Sequence, residues 1–245
     1  MSETALMWME ITFDILYLIV VWTLVTLMIR QRNRVAPEQR QIARLTYWAF
    51  ALLALGDTGH VGFRVVAYAL GGLDRTLNVL GVTVSLVGVG AFATAVTITF
   101  FYMLILEVWR IRFNQRYGPF EYALLGAGVV RLAIMLLPAN AWSQVTPPEP
   151  MGIVRNLPLM AQGLGLAYLI LRDSLQAHDQ PFTVIGAMIL VSYAFYAPVI
   201  FFVNQVPMLG MLMMPKTLAY VAIAIIAYRA LYRQSPGMAR PGMAS

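Results

Sequence analysis

Residues 45–70 read LTYWAFALLALGDTGHVGFRVVAYAL, an apolar run broken near its middle by Asp57, His60 and Arg64. About 20 helical residues cross a hydrocarbon core, so the run predicts a transmembrane helix. On that helix the i, i+3, i+7 spacing stacks the three ionisable side chains on one face, over about two turns or roughly 10 Å. Such a face does not look at lipid, because a charge near the bilayer centre costs several kcal/mol; it pairs internally, faces a bundle or lines a wet cavity. A polar site inside a membrane protein follows.

Composition agrees. Of 245 residues, 60% are hydrophobic and 11% charged, with a mean hydropathy of +0.72, which excludes an ordinary soluble domain. There is no cysteine, so disulfides, thiolate nucleophiles and cysteine metal sites are out. Two histidines, His60 and His178, leave zinc and haem short of ligands, and no metal site is expected. The net charge of +6 comes from arginines between apolar runs, where positive charge sets topology, so no nucleic-acid partner is expected and the bilayer is the partner. The N-terminal residues are acidic where a secretory signal is basic, so the first apolar run reads as a retained helix.

Seven stretches are long enough to span: 9–30, 45–70, 79–109, 120–138, 152–172, 182–204 and 208–232. Prolines fall at or between their ends, and the third is long enough to tilt or project. The expected fold is therefore an all-α membrane protein, a seven-transmembrane-helix bundle over 1–234 with a disordered cytoplasmic tail over 235–245. Arginines at 30–44, 110–116, 172 and 229–240 occupy alternate connections, against Arg75 on the other side. By the positive-inside rule the N-terminus lies outside and the C-terminus in the cytoplasm. Glycine and alanine clusters at 81–93, 126–128 and 163–165 suit close helix packing.

Counting about 1.5 Å per residue from the cytoplasmic ends places Asp57 and His60 roughly 20–24 Å up. Asp14, Arg131, Asn156, Tyr193, Tyr196 and Lys216 reach nearly the same height, and the third stretch offers Thr94 and Thr97 there. Convergence from separate spans is what a bundle around a central chamber produces. Arg64, Arg131, Arg155 and Lys216 outnumber Asp14 and Asp57 in this half, and surplus cations in a low-dielectric site invite an anionic ligand. Asp57 reads either as the buried partner of Lys216 or Arg131, or as an acid catalyst. His60 reads as general base, proton relay or core residue; Asp-x-x-His alone is a weak motif. Tyr193, Tyr196 and Tyr220 close the pocket by hydrogen bonding. Glu107 is expected to pair with Arg110 or Arg112, and His178 to be solvated.

These residues fall into blocks: Gly56-Asp57-x-x-His60-x-x-x-Arg64, Trp109-Arg110, Pro138-x-Asn140-x-Trp142, Gly152-Ile153-x-Arg155-Asn156, Tyr196-x-Pro198-Val199 and Gly210-Met211-Leu212-Met213-x-Pro215-Lys216-Thr217-x-Ala219-Tyr220-Val221. Together they resemble a set of uncharacterised bacterial seven-helix membrane proteins. The resemblance implies a multi-pass protein of the bacterial inner membrane and points again to the polar layer, without implying an activity or a cofactor. Where that family has Ala-Phe between Asp and His, Thr58-Gly59 stands here, implying a roomier pocket.

Three functions compete. The first is a receptor- or sensor-like bundle whose small anionic or amphipathic, lipid-like ligand meets Arg64, Arg131, Arg155, Asn156, Tyr193, Tyr196, Lys216, Tyr220 and Asp14, passing its signal to a cytoplasmic or membrane partner. The second is an intramembrane lipid hydrolase in which Asp57 and His60 are catalytic. The third is a retinal-binding, opsin-like protein with a Schiff base on Lys216 and Asp57 or Asp14 as counterion. A proton-coupled transporter is a further possibility, without visible internal repeats.

Overall fold

The computed structural model describes residues 3–79, 81–144 and 148–233. The expected tail over 235–245 lies outside them. In chain order the elements are α1 (Glu3–Gln31), α2 (Arg40–Ala69), β1 (Thr76–Val79), β2 (Val82–Ser85), α3 (Leu86–Arg112), α4 (Pro119–Met135), the single turn α5 (Met151–Val154), α6 (Leu157–Gln176), α7 (Gln180–Phe202) and α8 (Met213–Tyr232). Among the described residues six helical segments are long and apolar enough to cross a membrane, the architecture of a polytopic membrane protein. Consecutive long helices pack side by side, α1 closes the ring against α8, and α3 also reaches α6.

The third stretch departs from its expected helical span of 79–109. Helix α3 begins at Leu86, and the residues before it form an antiparallel hairpin, with Thr76 opposite Ser85 and Leu77 opposite Val84. Alternating β-branched residues, Val82-Thr83-Val84, favour a pleated strand. Gly81, at φ +84°, supplies the left-handed turn, and its amide donates to Asn78 Oδ1 at 2.9 Å. Ser85 then caps α3, its hydroxyl accepting from the Gly88 amide at 3.2 Å. Ser85→Ala is expected to lower stability by about 1 kcal/mol, read as a fall in the thermal midpoint of detergent-purified protein; an unchanged midpoint would show that this cap contributes nothing.

Helix α4 ends at Met135, earlier than the expected 138, because Pro138 opens a separate 3-10 turn. Here the Pro138-x-Asn140-x-Trp142 block has a local use. Asn140 Nδ2 donates to the carbonyls of Ile134 and Leu137 at 2.7 and 3.0 Å, and Trp142 Nε1 donates to Met135 O at 3.0 Å. Ile134 and Met135 stand in the last turn of α4, where a helix end leaves carbonyls short of intrahelical partners.

The apolar core fills the half of the bundle toward the arginine-rich helix ends, around Phe50, Phe101, Leu106, Trp109, Leu166 and Ile170. It is tied down at that end by polar contacts. Trp109 Nε1 donates to Asp173 at 2.8 Å, Arg112 Nε pairs with Asp179 at 2.9 Å, and Glu107 takes Arg110, as expected. Tyr117 donates to Glu107 at 2.6 Å, and burial together with that bond pushes its phenol above the ordinary value. His178 is exposed.

Candidate functional site

Beyond the apolar core, toward the hairpin, the helices carry their polar residues at similar depth. The closest seam is α2 against α3, where Gly56 lies on Thr94 and Thr97, Gly59 on Ala93, and Gly90 on the backbone of His60. At Gly56 and Gly90 only a residue without a side chain allows this approach. It brings Asp57 onto Thr94. One Asp57 oxygen accepts from Thr94 Oγ1 at 2.6 Å, the other from Tyr17 Oη at 2.6 Å, so three helices meet at one carboxylate.

This corrects the expectation of an ion pair at Asp57: no Lys or Arg nitrogen lies within 4 Å of it among the described residues, although Lys216 is within electrostatic reach. Nor does Asp57 orient His60, whose Nδ1 is buried without a partner. Thr58 is exposed and bonds Trp22 Nε1 at 2.9 Å, so the Thr58-Gly59 pair faces α1 and Ala93 and opens no chamber.

Arg131 on α4 organises the other side. It is 2% exposed and donates to Ala95 O at 2.9 Å, Thr99 Oγ1 at 2.6 Å, Arg155 O at 3.1 Å and Asn156 Oδ1 at 3.5 Å. All four acceptors are neutral. Asn156 also accepts from Tyr196 at 3.1 Å and donates to Gly152 O at 2.8 Å, and Arg155 lies 4.7 Å over the Trp142 ring. Lys216 on α8 is 9% exposed, with Nζ 3.9 Å from the centre of the Tyr196 ring, a cation–π contact, and no carboxylate within 4 Å among the described residues. Three cations, Arg131, Arg155 and Lys216, thus surround Asn156 and Tyr196.

Tyrosines form the floor. Tyr102 and Tyr220 share a 2.6 Å hydrogen bond, the Tyr102 ring is 6.1 Å from that of Tyr193, and Tyr193 donates to Leu159 O at 2.8 Å. Gln162, 1% exposed, borders Gly128 beside Thr99, and neither end of its amide has a partner. Buried polar groups are nearly always paired, so this amide is an exception among the described residues.

Comparison of the chain with models of protein families, with curated proteins and with solved structures finds no match. The chemistry of the site therefore carries the functional reading.

The expected residues divide in two. Arg131, Arg155, Asn156, Tyr193, Tyr196, Lys216 and Tyr220 are joined through the contacts above, with Asp57 at their edge. Arg64 is not among them: it pairs with Glu10 at 2.8 Å, both partly exposed, so its charge is already met on the α1–α2 face. Asp14, half-buried, lies within the electrostatic reach of Glu10, Arg64 and Asp57, on that same face. Glu10 and Tyr17 escaped the sequence reading, although Glu10, Asp14 and Tyr17 stand at i, i+4, i+7 and share a face of α1. Trp142 and Gln162 were not legible as site residues, since one caps a helix and the other is a lone amide in an apolar run. A surface groove of about 290 Å³ lies elsewhere, along α1.

Proposed function

We infer that this chain is a seven-span membrane protein whose buried cation cluster binds a small anionic or amphipathic, lipid-like ligand, in the manner of a receptor or sensor. One observation carries the reading: among the described residues, Lys216 and Arg131 are buried with no carboxylate within 4 Å, and their neighbours are neutral carbonyls, hydroxyls and an aromatic ring. Buried charge is costly unless paired, so an anionic group between Arg131, Arg155 and Lys216 supplies the missing counter-charge. Tyr193, Tyr196 and Tyr220 would line its apolar part, and Gln162 would pair with a polar atom.

The seventh span is α4, about 25 Å long at 1.5 Å per residue, whose Val129, Val130 and Leu136 are 60%, 52% and 75% exposed and suit lipid contact. With seven crossings, the arginines of 30–44, 110–116, 172 and 229–233 share one side, which places the N-terminus outside and the C-terminus in the cytoplasm. The resemblance to bacterial seven-helix proteins adds an inner-membrane location. A cytoplasmic or membrane partner would carry the output.

A dansylated fatty acid titrated into detergent-purified protein tests this. Lys216→Met is expected to weaken binding about tenfold or more, as loss of a buried charge partner does, while leaving the affinity for the uncharged methyl ester unchanged. Equal binding of acid and ester by the unaltered protein would exclude an anion site.

A further inference from the structure

The groove along α1 lies apart from the polar layer and has a chemistry of its own. It is lined by Trp22, Thr23, Thr26, Leu27 and Arg30, which at i, i+1, i+4, i+5 and i+8 form one continuous strip of the helix, about 12 Å long at 1.5 Å per residue. Trp22 lies farthest from the helix end, its indole held by the 2.9 Å bond to Thr58 on α2; Thr23, Thr26 and Leu27 follow, and Arg30 closes the strip in the last turn. An aromatic ring at the inner end and a cation at the outer end therefore bracket a mixed stretch of hydroxyls and one leucine.

Arg30 does not stand alone. Arg32, Arg34, Arg40 and Arg44 are all exposed around the same connection, with Glu38 the one carboxylate between them in sequence, and among the described residues none of the five has a carboxylate within 4 Å. A solvated basic loop needs no groove beside it, and a packing groove needs no arginine at its mouth. The combination fits a molecule with a buried acyl chain and an anionic head at the interface.

We propose that this groove is a binding site for an anionic glycerophospholipid, its phosphate at Arg30, its glycerol region beside Thr26 and Leu27 and an acyl chain along Trp22. The neighbouring arginines raise the local concentration of such lipids, each charge near the surface being worth about fivefold in affinity. The site is separate from the cation cluster around Lys216 and stands or falls independently of it.

The test reconstitutes the full chain in nanodiscs of phosphatidylcholine doped with brominated-chain phosphatidylglycerol or brominated-chain phosphatidylcholine, with tryptophan quenching as the readout. Brominated phosphatidylglycerol is expected to quench more strongly at low mole fraction. The excess should vanish in Trp22→Phe, which removes the reporter, and its midpoint should move about fivefold to higher lipid in Arg30→Gln. Arg116→Gln, which removes a cation from another connection, should leave the midpoint in place. Equal quenching by the two headgroups, or an equal shift from Arg116→Gln, would show only diffuse attraction and overturn the proposal.

Discussion

Replacing Gly90 by alanine is expected to destabilise the bundle by about 1–3 kcal/mol, the range for overpacking a filled contact. Helix propensity alone gives the opposite sign, since alanine is favoured over glycine inside a helix by about 1 kcal/mol. Sterics decide. A Cβ at Gly90 would stand 2.9 Å from His60 Cα, 3.0 Å from Gly59 O and 3.2 Å from His60 O. All three are backbone atoms of α2, so no rotamer change relieves them and the helices must separate.

Gly56 offers the comparison. Its Cβ would collide with the Thr97 hydroxyl, come within 2.9 Å of Thr97 Cβ and within 3.0 Å of Thr94 Cα. Part of that obstacle is a removable side-chain atom. Gly56→Ala should therefore regain some stability when combined with Thr97→Ala, whereas Gly90→Ala should regain none with His60→Ala. Thermal unfolding of the single and double variants in one detergent reads both comparisons. A Gly90→Ala protein as stable as the parent would mean that α2 and α3 do not approach this closely.

Arg112→Met is expected to cost about 3 kcal/mol, at the lower end for breaking a buried ion pair by removing one partner. The side chains of Arg112 and Asp179 are only 8% and 1% exposed, Nε sits 2.9 Å from Oδ2, and the guanidinium lies 5.1 Å over the Phe182 ring. This pair joins the end of α3 to the start of α7. Arg112→Lys keeps the charge but lacks the planar group that both pairs with Asp179 and stacks on Phe182, so an intermediate loss follows.

Arg110 is the contrast. Its pair with Glu107 is local, three residues apart, with side chains 34% and 26% exposed, and Arg110→Met should cost under about 1 kcal/mol. Equilibrium unfolding of the three variants orders them. If Arg110→Met proves as costly as Arg112→Met, burial is not what makes the Arg112 pair matter.

The membrane class and most helix positions were legible because lipid imposes a simple demand, about 20 apolar residues per span, on a linear chain. The shared depth of Asp57, Arg131, Asn156, Tyr196 and Lys216 was legible for a related reason, since rise along a helix is proportional to residue number. The hairpin at 76–85 was not, because Val82, Val84 and Leu86 are as apolar as a span and hydropathy alone does not separate the two periods. Depth also carries no azimuth. Arg64 and Lys216 looked equally available, yet Arg64 meets Glu10 on the α1–α2 face while Lys216 faces the Tyr196 ring.

By itself, the order of residues determined that the chain carries helices fit to cross a membrane, which of their ends are rich in arginine and how far along each helix its polar residues stand, because these follow from composition, spacing and helical rise. Packing alone decided who meets whom. Asp57 receives hydroxyls from Tyr17 and Thr94 rather than a cation, and Arg131 gathers neutral oxygens from α3 and the α5–α6 connection. Those partners are set by rotation of each helix about its axis and by the glycine contacts that bring α2 onto α3, and neither is written in any single span.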